Sequence, residues 1–122
     1  MILADTSVWI DHLRGTSSAL RFELEQGRIV MHPYVTAELA LGSLKDRRKT
    51  VAMLEMLPQL QVAMLSEVRR MAEAHKLHGK GIGLVDVHLI ASVMITPGTS
   101  LWTVDKRLHG VAEAMRVHRT IL

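Results

Sequence analysis

A chain of 122 residues with 48% hydrophobic and 22% charged side chains has the make-up of one globular domain, residues 1–122, long enough to bury a core. It holds no cysteine, which excludes a disulfide scaffold, a thiolate zinc site and a cysteine nucleophile, and aromatics at 3% are too few for stacking platforms that grip single-stranded bases. The net charge of +3 permits an anionic partner without requiring one; the longest apolar stretch, 84–95, is too short to cross a bilayer, so a cytoplasmic protein without membrane contact is expected.

The chain opens on Ile2, Leu3 and Ala4, a continuous apolar run of the kind buried parallel strands show. It stops at Asp5, Thr6 and Ser7 before Val8, Trp9, Ile10 and Leu13 resume at helical spacing, which predicts strand, turn and helix. Asp5 then sits at the carboxyl end of the first strand, the edge where open α/β sheets bind ligands. Taken alone, Asp5 or Ser7 serves equally well as an N-cap of that helix. Thr16, Ser17 and Ser18 offer caps for a helix over 19–26, closed by Gly27, and 29–31 reads as a second strand broken by His32 and Pro33. Thr36 is the expected cap of a short helix over 37–41, in which Glu38 is the only ionisable residue.

The cluster Lys45, Arg47, Arg48 and Lys49 opens a further helix running to Leu57. Met53, Leu54, Met56 and Leu57 crowd its second half, so it is expected to pack both on its own domain and on a partner chain, with burial wholly within its own core as the alternative. Residues 60–65 suit a third strand, and Ser66 caps a helix over 67–78. Gly79, Gly81 and Gly83 lead into 84–95, apolar almost all round and therefore the expected central buried helix. A fourth strand over 100–104 ends on Asp105, a helix follows over 106–115, and 117–121 adds a last short strand. The alternation predicts an α/β fold with a central parallel sheet of four to five strands, flanked by helices on both faces.

Asp5, Glu38, Asp86 and Asp105 share one feature: each lies in or next to a mostly apolar segment. An ionised carboxylate buried without a partner costs several kcal/mol or so, enough to recruit a proton or a cation. Strand carboxyl ends and the helix N-termini after them gather along one sheet edge, where four carboxylates would repel one another unless a divalent metal joined them. All-oxygen ligands favour Mg²⁺ or Mn²⁺, ions that bind phosphates and lower the pKa of a bound water, chemistry suited to phosphodiester hydrolysis. Thr6, Ser7 and Thr103 are hydroxyls near these acids that could orient them. Structural readings stand beside this one: Asp86 and Asp105 as first-turn acids answering helix dipoles, and Glu38 paired with a distant arginine. His88, roughly opposite Asp86 on its helix, reads as structural.

Ala4–Ile10, Val35–Leu39, Gly83–Ser92 and Leu101–Leu108 together resemble the motifs of the PIN-domain ribonucleases, and more narrowly the VapC toxins of bacterial toxin–antitoxin pairs. The four motifs stand in the family's order and span nearly the whole chain. The resemblance implies metal-dependent endonucleolytic cleavage of RNA with Mg²⁺ or Mn²⁺, one or two ions held by Asp5, Glu38, Asp86 and Asp105. It also implies a homodimer that assembles into a larger complex with a cognate VapB-type antitoxin. One position departs from the pattern: Arg107 stands where many members carry a further acid, which puts the second ion in question.

Other classes fit less well. A phosphoacceptor signalling module needs an Asp ending its third strand, and 60–65 has none; a phosphatase of the haloacid dehalogenase type needs an Asp where Ser7 stands. A noncatalytic RNA-binding domain of the same fold stays open. Lys45, Arg47, Arg48 and Lys49 read either as a solvated helix start or as a rail that positions RNA phosphates.

Overall fold

The sheet is built around β1 (Ile2–Ala4), whose three residues are buried because strands lie on both sides of it. It pairs in parallel with β2 (Ile29–Val30), in the register Ile2–Ile29 and Leu3–Val30. On its other side β3 (Ser100–Trp102) pairs in the register Ile2–Ser100, Leu3–Leu101 and Ala4–Trp102. The structure, a computed structural model, describes residues 1–119. Helices fill the chain between and after the strands: α1 (Thr6–Leu13), α2 (Ala19–Glu25), α3 (Pro33–Ala40), α4 (Arg47–Met56), α5 (Leu65–Ala74), α6 (Leu84–Ile95) and α7 (Lys106–Ala114).

Among the described residues the sheet has three strands, in the order β2-β1-β3, and not the expected four to five. The two others shrink to single parallel bridges at the sheet edges, Met31 with Gln59 and Leu101 with His118. At the first edge Met31 N donates to Pro58 O at 2.7 Å and Leu60 N to Met31 O at 3.1 Å. The chain then turns to α6 instead: Gln61 N donates to Thr96 Oγ1 at 3.2 Å and Ala63 N to Ser92 Oγ at 3.0 Å. Helix hydroxyls satisfy these main-chain donors, so the ladder ends and Leu65 opens α5. At the other edge Leu101 N donates to Val117 O at 2.7 Å and Arg119 N to Leu101 O at 2.8 Å. Of the strand expected over 117–121, residues 120 and 121 lie outside the described residues.

Two helix starts also differ from expectation, those of α3 and of α5, which opens at Leu65 with Met64 as its cap in place of Ser66. α3 begins at Pro33 and its cap is His32, whose Nδ1 accepts from Tyr34 N at 3.0 Å. Proline interrupts a strand but suits the first turn of a helix, where its missing N–H is not needed. Asp105 lies beyond β3 as the N-cap of α7, its Oδ1 accepting from Arg107 N at 2.9 Å and Leu108 N at 3.0 Å.

Leu3, Trp9, Leu20, Met31, Leu54, Ile90, Leu101 and Leu108 form the centre of the main core, and a smaller cluster of Ala63, Val68, Leu77, Val87 and Ala91 lies between α5 and α6. Because α6 gives Leu89, Ile90 and Val93 to the first and Val87 and Ala91 to the second, it must be apolar almost all round. α4 behaves differently. Leu54 is fully buried and Leu57 packs against the main core, whereas Met53 is 40% and Met56 86% exposed. Leu54 therefore belongs to the chain's own core and is removed from the set expected to meet a partner.

Candidate active site

Parallel pairing of Ala4 with Trp102 brings the residues after β1 and β3 side by side, tied by Asp5 N donating to Trp102 O at 3.0 Å. Asp5 is buried there and caps α1, its Oδ1 accepting from Val8 N at 3.3 Å. The same oxygen accepts from Ser7 Oγ at 2.5 Å, while Oδ2 accepts from Thr103 Oγ1 at 2.6 Å. Each hydroxyl has one proton, and both are committed to the ionised carboxylate. Ser7 Oγ in turn accepts from Val104 N at 3.2 Å and Thr103 Oγ1 from Asp105 N at 3.0 Å, so the two hydroxyls stitch Asp5 to the turn that carries Asp105. Burial pushes the Asp5 carboxyl above its ordinary pKa, and the donors from Ser7, Thr103 and Val8 offset that only in part.

Glu38 approaches from α3, where it is exposed, and accepts from Thr6 Oγ1 at 2.7 Å. The sequence expectation placed all three hydroxyls near the acids, and each of them is bonded to one. Asp86 sits in the first turn of α6, half-buried, with Gly83 N 3.4 Å from its Oδ2. Its pKa is raised first by burial, and then by the negative charges of Asp5, Asp105 and Glu38 in turn. Asp5, Glu38 and Asp105, far apart in sequence, thus all lie within electrostatic reach of Asp86. Three of the four acids stand at helix N-termini, where the positive ends of the helix dipoles offset part of the gathered negative charge.

No three Asp, Glu or His side chains among the described residues stand close enough to form a ready-made metal cage. The donor set itself is all oxygen and its members repel one another, which suits a hard cation that keeps several waters and takes only one or two carboxylates. Asp5, Asp86, Asp105 and Glu38 are the residues that could hold it. Arg107 follows in the first turn of α7, its main-chain N donating to Asp105 Oδ1. Its side chain lies across Gly81 in the connection into α6, where an added Cβ would come within 2.9 Å of Arg107 Cδ and φ is +77°. Glycine at 81 meets both demands.

The basic cluster is not uniform. Arg47 spends its guanidinium on the end of α3, donating to Gly42 O at 3.2 Å and to Ala40 O, while Lys45, Arg48 and Lys49 are exposed. His88 is buried, with the Tyr34 ring 4.4 Å and the His32 ring 5.3 Å away. His32 is a residue whose part the sequence reading missed. Beyond capping α3 it reaches Ser92 Oγ at 3.1 Å, and the His-Pro pair before an apolar run was the available signal.

Residues 2–114 match the PIN domain. The chain is 45% identical over 108 residues to "Ribonuclease VapC32" of Mycobacterium tuberculosis strain H37Rv, covering 88% of this chain and 87% of the relative. It has the same identity and coverage with the protein of that name from strain CDC 1551. With this similarity running through the segments that carry Asp5, Glu38, Asp86 and Asp105, the chain belongs to the PIN-domain family, as a VapC-type ribonuclease.

Proposed function

We propose that residues 1–122 form a single nuclease domain that hydrolyses phosphodiester bonds within RNA, as the toxin of a type II toxin–antitoxin pair. One observation carries the reading: the hydroxyls of Thr6, Ser7 and Thr103 hold Glu38, Asp5 and the turn bearing Asp105 at the carboxyl ends of β1 and β3, and the negative charges of all three act on Asp86. Asp5, Asp86, Asp105 and Glu38 are the proposed ligands of Mg²⁺ or Mn²⁺. When bound, such an ion supplies a lowered pKa for the attacking water and neutralises charge on the phosphate oxygens.

The chain's own residues prepare this chemistry. Ser7 and Thr103 fix both oxygens of Asp5, and Thr6 fixes Glu38, so the carboxylates are aimed before substrate arrives. No serine, cysteine or histidine is needed as a nucleophile. Arg107 stands where many members of the family carry a further acid, and the missing carboxylate favours one tightly held ion over two. Lys45, Arg48 and Lys49 are the proposed phosphate rail, with Arg47 left to hold the end of α3.

Partners follow from the same reading: RNA as substrate, a cognate VapB-type antitoxin, and a homodimer within a larger complex, with Met53, Met56 and the half-buried Leu57 as apolar contacts. No described helix is long and apolar enough to cross a membrane, and a cytoplasmic location fits the proposed role. Calorimetric titration of the purified chain with Mn²⁺ tests the metal assignment. One tight site, lost in Asp86→Asn, is expected together with RNA cleavage that a chelator stops. Two tight sites without RNA would overturn the single-ion reading, and cleavage unaffected by chelator would overturn the metal dependence.

A further inference from the structure

A cleft of about 620 Å³ opens beside Glu38, the one member of the acid group in its lining, where it is bonded to Thr6. Its apolar wall comes from Ile10 and Leu13 of α1, Leu39 of α3 and Leu44 of the connection to α4. Arg14 and Lys45 also line it; both are exposed, and neither enters an ion pair among the described residues. Ser43 and Thr50 add hydroxyls, and Asp46 adds a second carboxylate besides that of Glu38. The volume lies within the range of small-molecule sites, roughly 300–1,000 Å³.

We propose that this cleft is a nucleoside subsite, which takes the unpaired base of the nucleotide next to the phosphodiester held at the carboxylates. The inference rests on the ribonuclease reading and deepens it. A phosphate seated among the four acids must project its neighbouring nucleosides to either side, and this cleft shares the Thr6–Glu38 pair with the acid cluster. Base faces are apolar and base edges are polar, which matches aliphatic walls with hydroxyls beside them. Arg14 and Lys45 supply positive charge for the flanking phosphates. The lining holds no aromatic ring, so the base is gripped by aliphatic contact in place of stacking, and the bound strand must be single-stranded there for its base to turn in.

The test uses fluorescence anisotropy with labelled hexaribonucleotides of A, C, G or U and with a ribose-phosphate hexamer lacking bases. The protein carries Asp86→Asn, which stops cleavage and removes one charge that repels phosphate. At least one base-bearing hexamer should bind about tenfold tighter than the abasic chain, as expected for one base held in a site. Adding Leu13→Ser with Leu44→Ser, which strips aliphatic wall from partly exposed positions, or independently Ser43→Leu, which fills part of the cleft, should erase that difference while abasic binding stays unchanged. Equal binding of base-bearing and abasic hexamers by the parent protein would overturn the proposal. So would a base-dependent difference that survives both changes in proteins whose melts show them folded. Failure of the wild-type protein to cleave any RNA with Mg²⁺ or Mn²⁺ would instead strike the ribonuclease reading, whatever the hexamers do.

Discussion

His32 shows how one buried side chain can be fixed in one protonation state. Its Nδ1 accepts from Tyr34 N, so Nε2 carries the proton and donates to Ser92 Oγ, which also accepts from Ala63 N and donates to His88 O at 2.9 Å. Burial, with the charge of His88 adding to it, lowers the pKa of His32 from 6.5 to about 4. The unfolded chain therefore binds a proton between these values while the folded chain does not. Stability is unaffected by this group above pH 6.5, falls as pH drops through the window and levels off below about 4. The expected contribution is up to about 1.4 kcal/mol per pH unit. His32→Asn retains the helix cap, loses Ser92 and should abolish that part of the pH dependence in denaturant melts, at a cost of about 1 kcal/mol at neutral pH. Asp86 has the opposite sign. With its folded pKa raised, its contribution is full at low pH and is lost as pH rises through the folded value. In chelator at pH 8, Asp86→Asn should melt slightly higher than wild type, by less than ~1 kcal/mol once solvent screening is allowed for. A lower melt would contradict the claim that the acids repel one another.

At the scale of elements, α4 separates core from surface within one turn. Leu54→Ala should cost about 3 kcal/mol in urea melts, as other buried leucines do. Met53→Ser with Met56→Ser should leave the melt nearly unchanged and weaken self-association or antitoxin binding in sedimentation measurements. The opposite pattern would remove α4 from the proposed interface. The apolar crowding of this helix was legible in the sequence, but which residues faced inward was not, because a helix apolar on most sides carries no phase. α1, α6 and α7 were readable to within a residue or two, since each has a clear start and a sustained period. Residues 60–65 were misread because Leu60 and Val62 alternate as a strand does, while Ser92 and Thr96, about 30 positions on, take the main-chain donors. α3 was misread at its start because Pro33 signals both the end of a strand and the first turn of a helix.

Across the whole molecule, the four acids could be singled out from sequence because acids in apolar settings are rare, and strand–helix alternation placed them on one edge. The hydroxyl network that fixes Asp5 was legible only as nearby residues, since Thr103 meets Asp5 through a strand pairing that spans most of the chain. The cleft beside Glu38 was not legible at all, because α1, α3 and the connection into α4 each give only a fragment of its wall. The net charge of +3, set against an acidic centre, implies that RNA is drawn in by basic groups outside that centre. Replacing Lys45, Arg48 and Lys49 with Ser should reduce the slope of log affinity against log salt by about 2 if each of the three meets a phosphate of a single strand. An unchanged slope would exclude the rail.

Whether four carboxylates gathered at one sheet edge carry out RNA cleavage with a divalent ion is decided by the cleavage assay itself. Wild type, Asp5→Asn and Asp86→Asn, each freed of any co-purifying partner, are compared on one RNA panel with Mg²⁺, with Mn²⁺ and with chelator, alongside thermal melts. Metal-dependent cleavage by the wild type is expected to fall to background in both variants, although both remain folded. Folded variants that still cleave, or a clean wild type that cuts nothing on the panel, would contradict that role of the carboxylates.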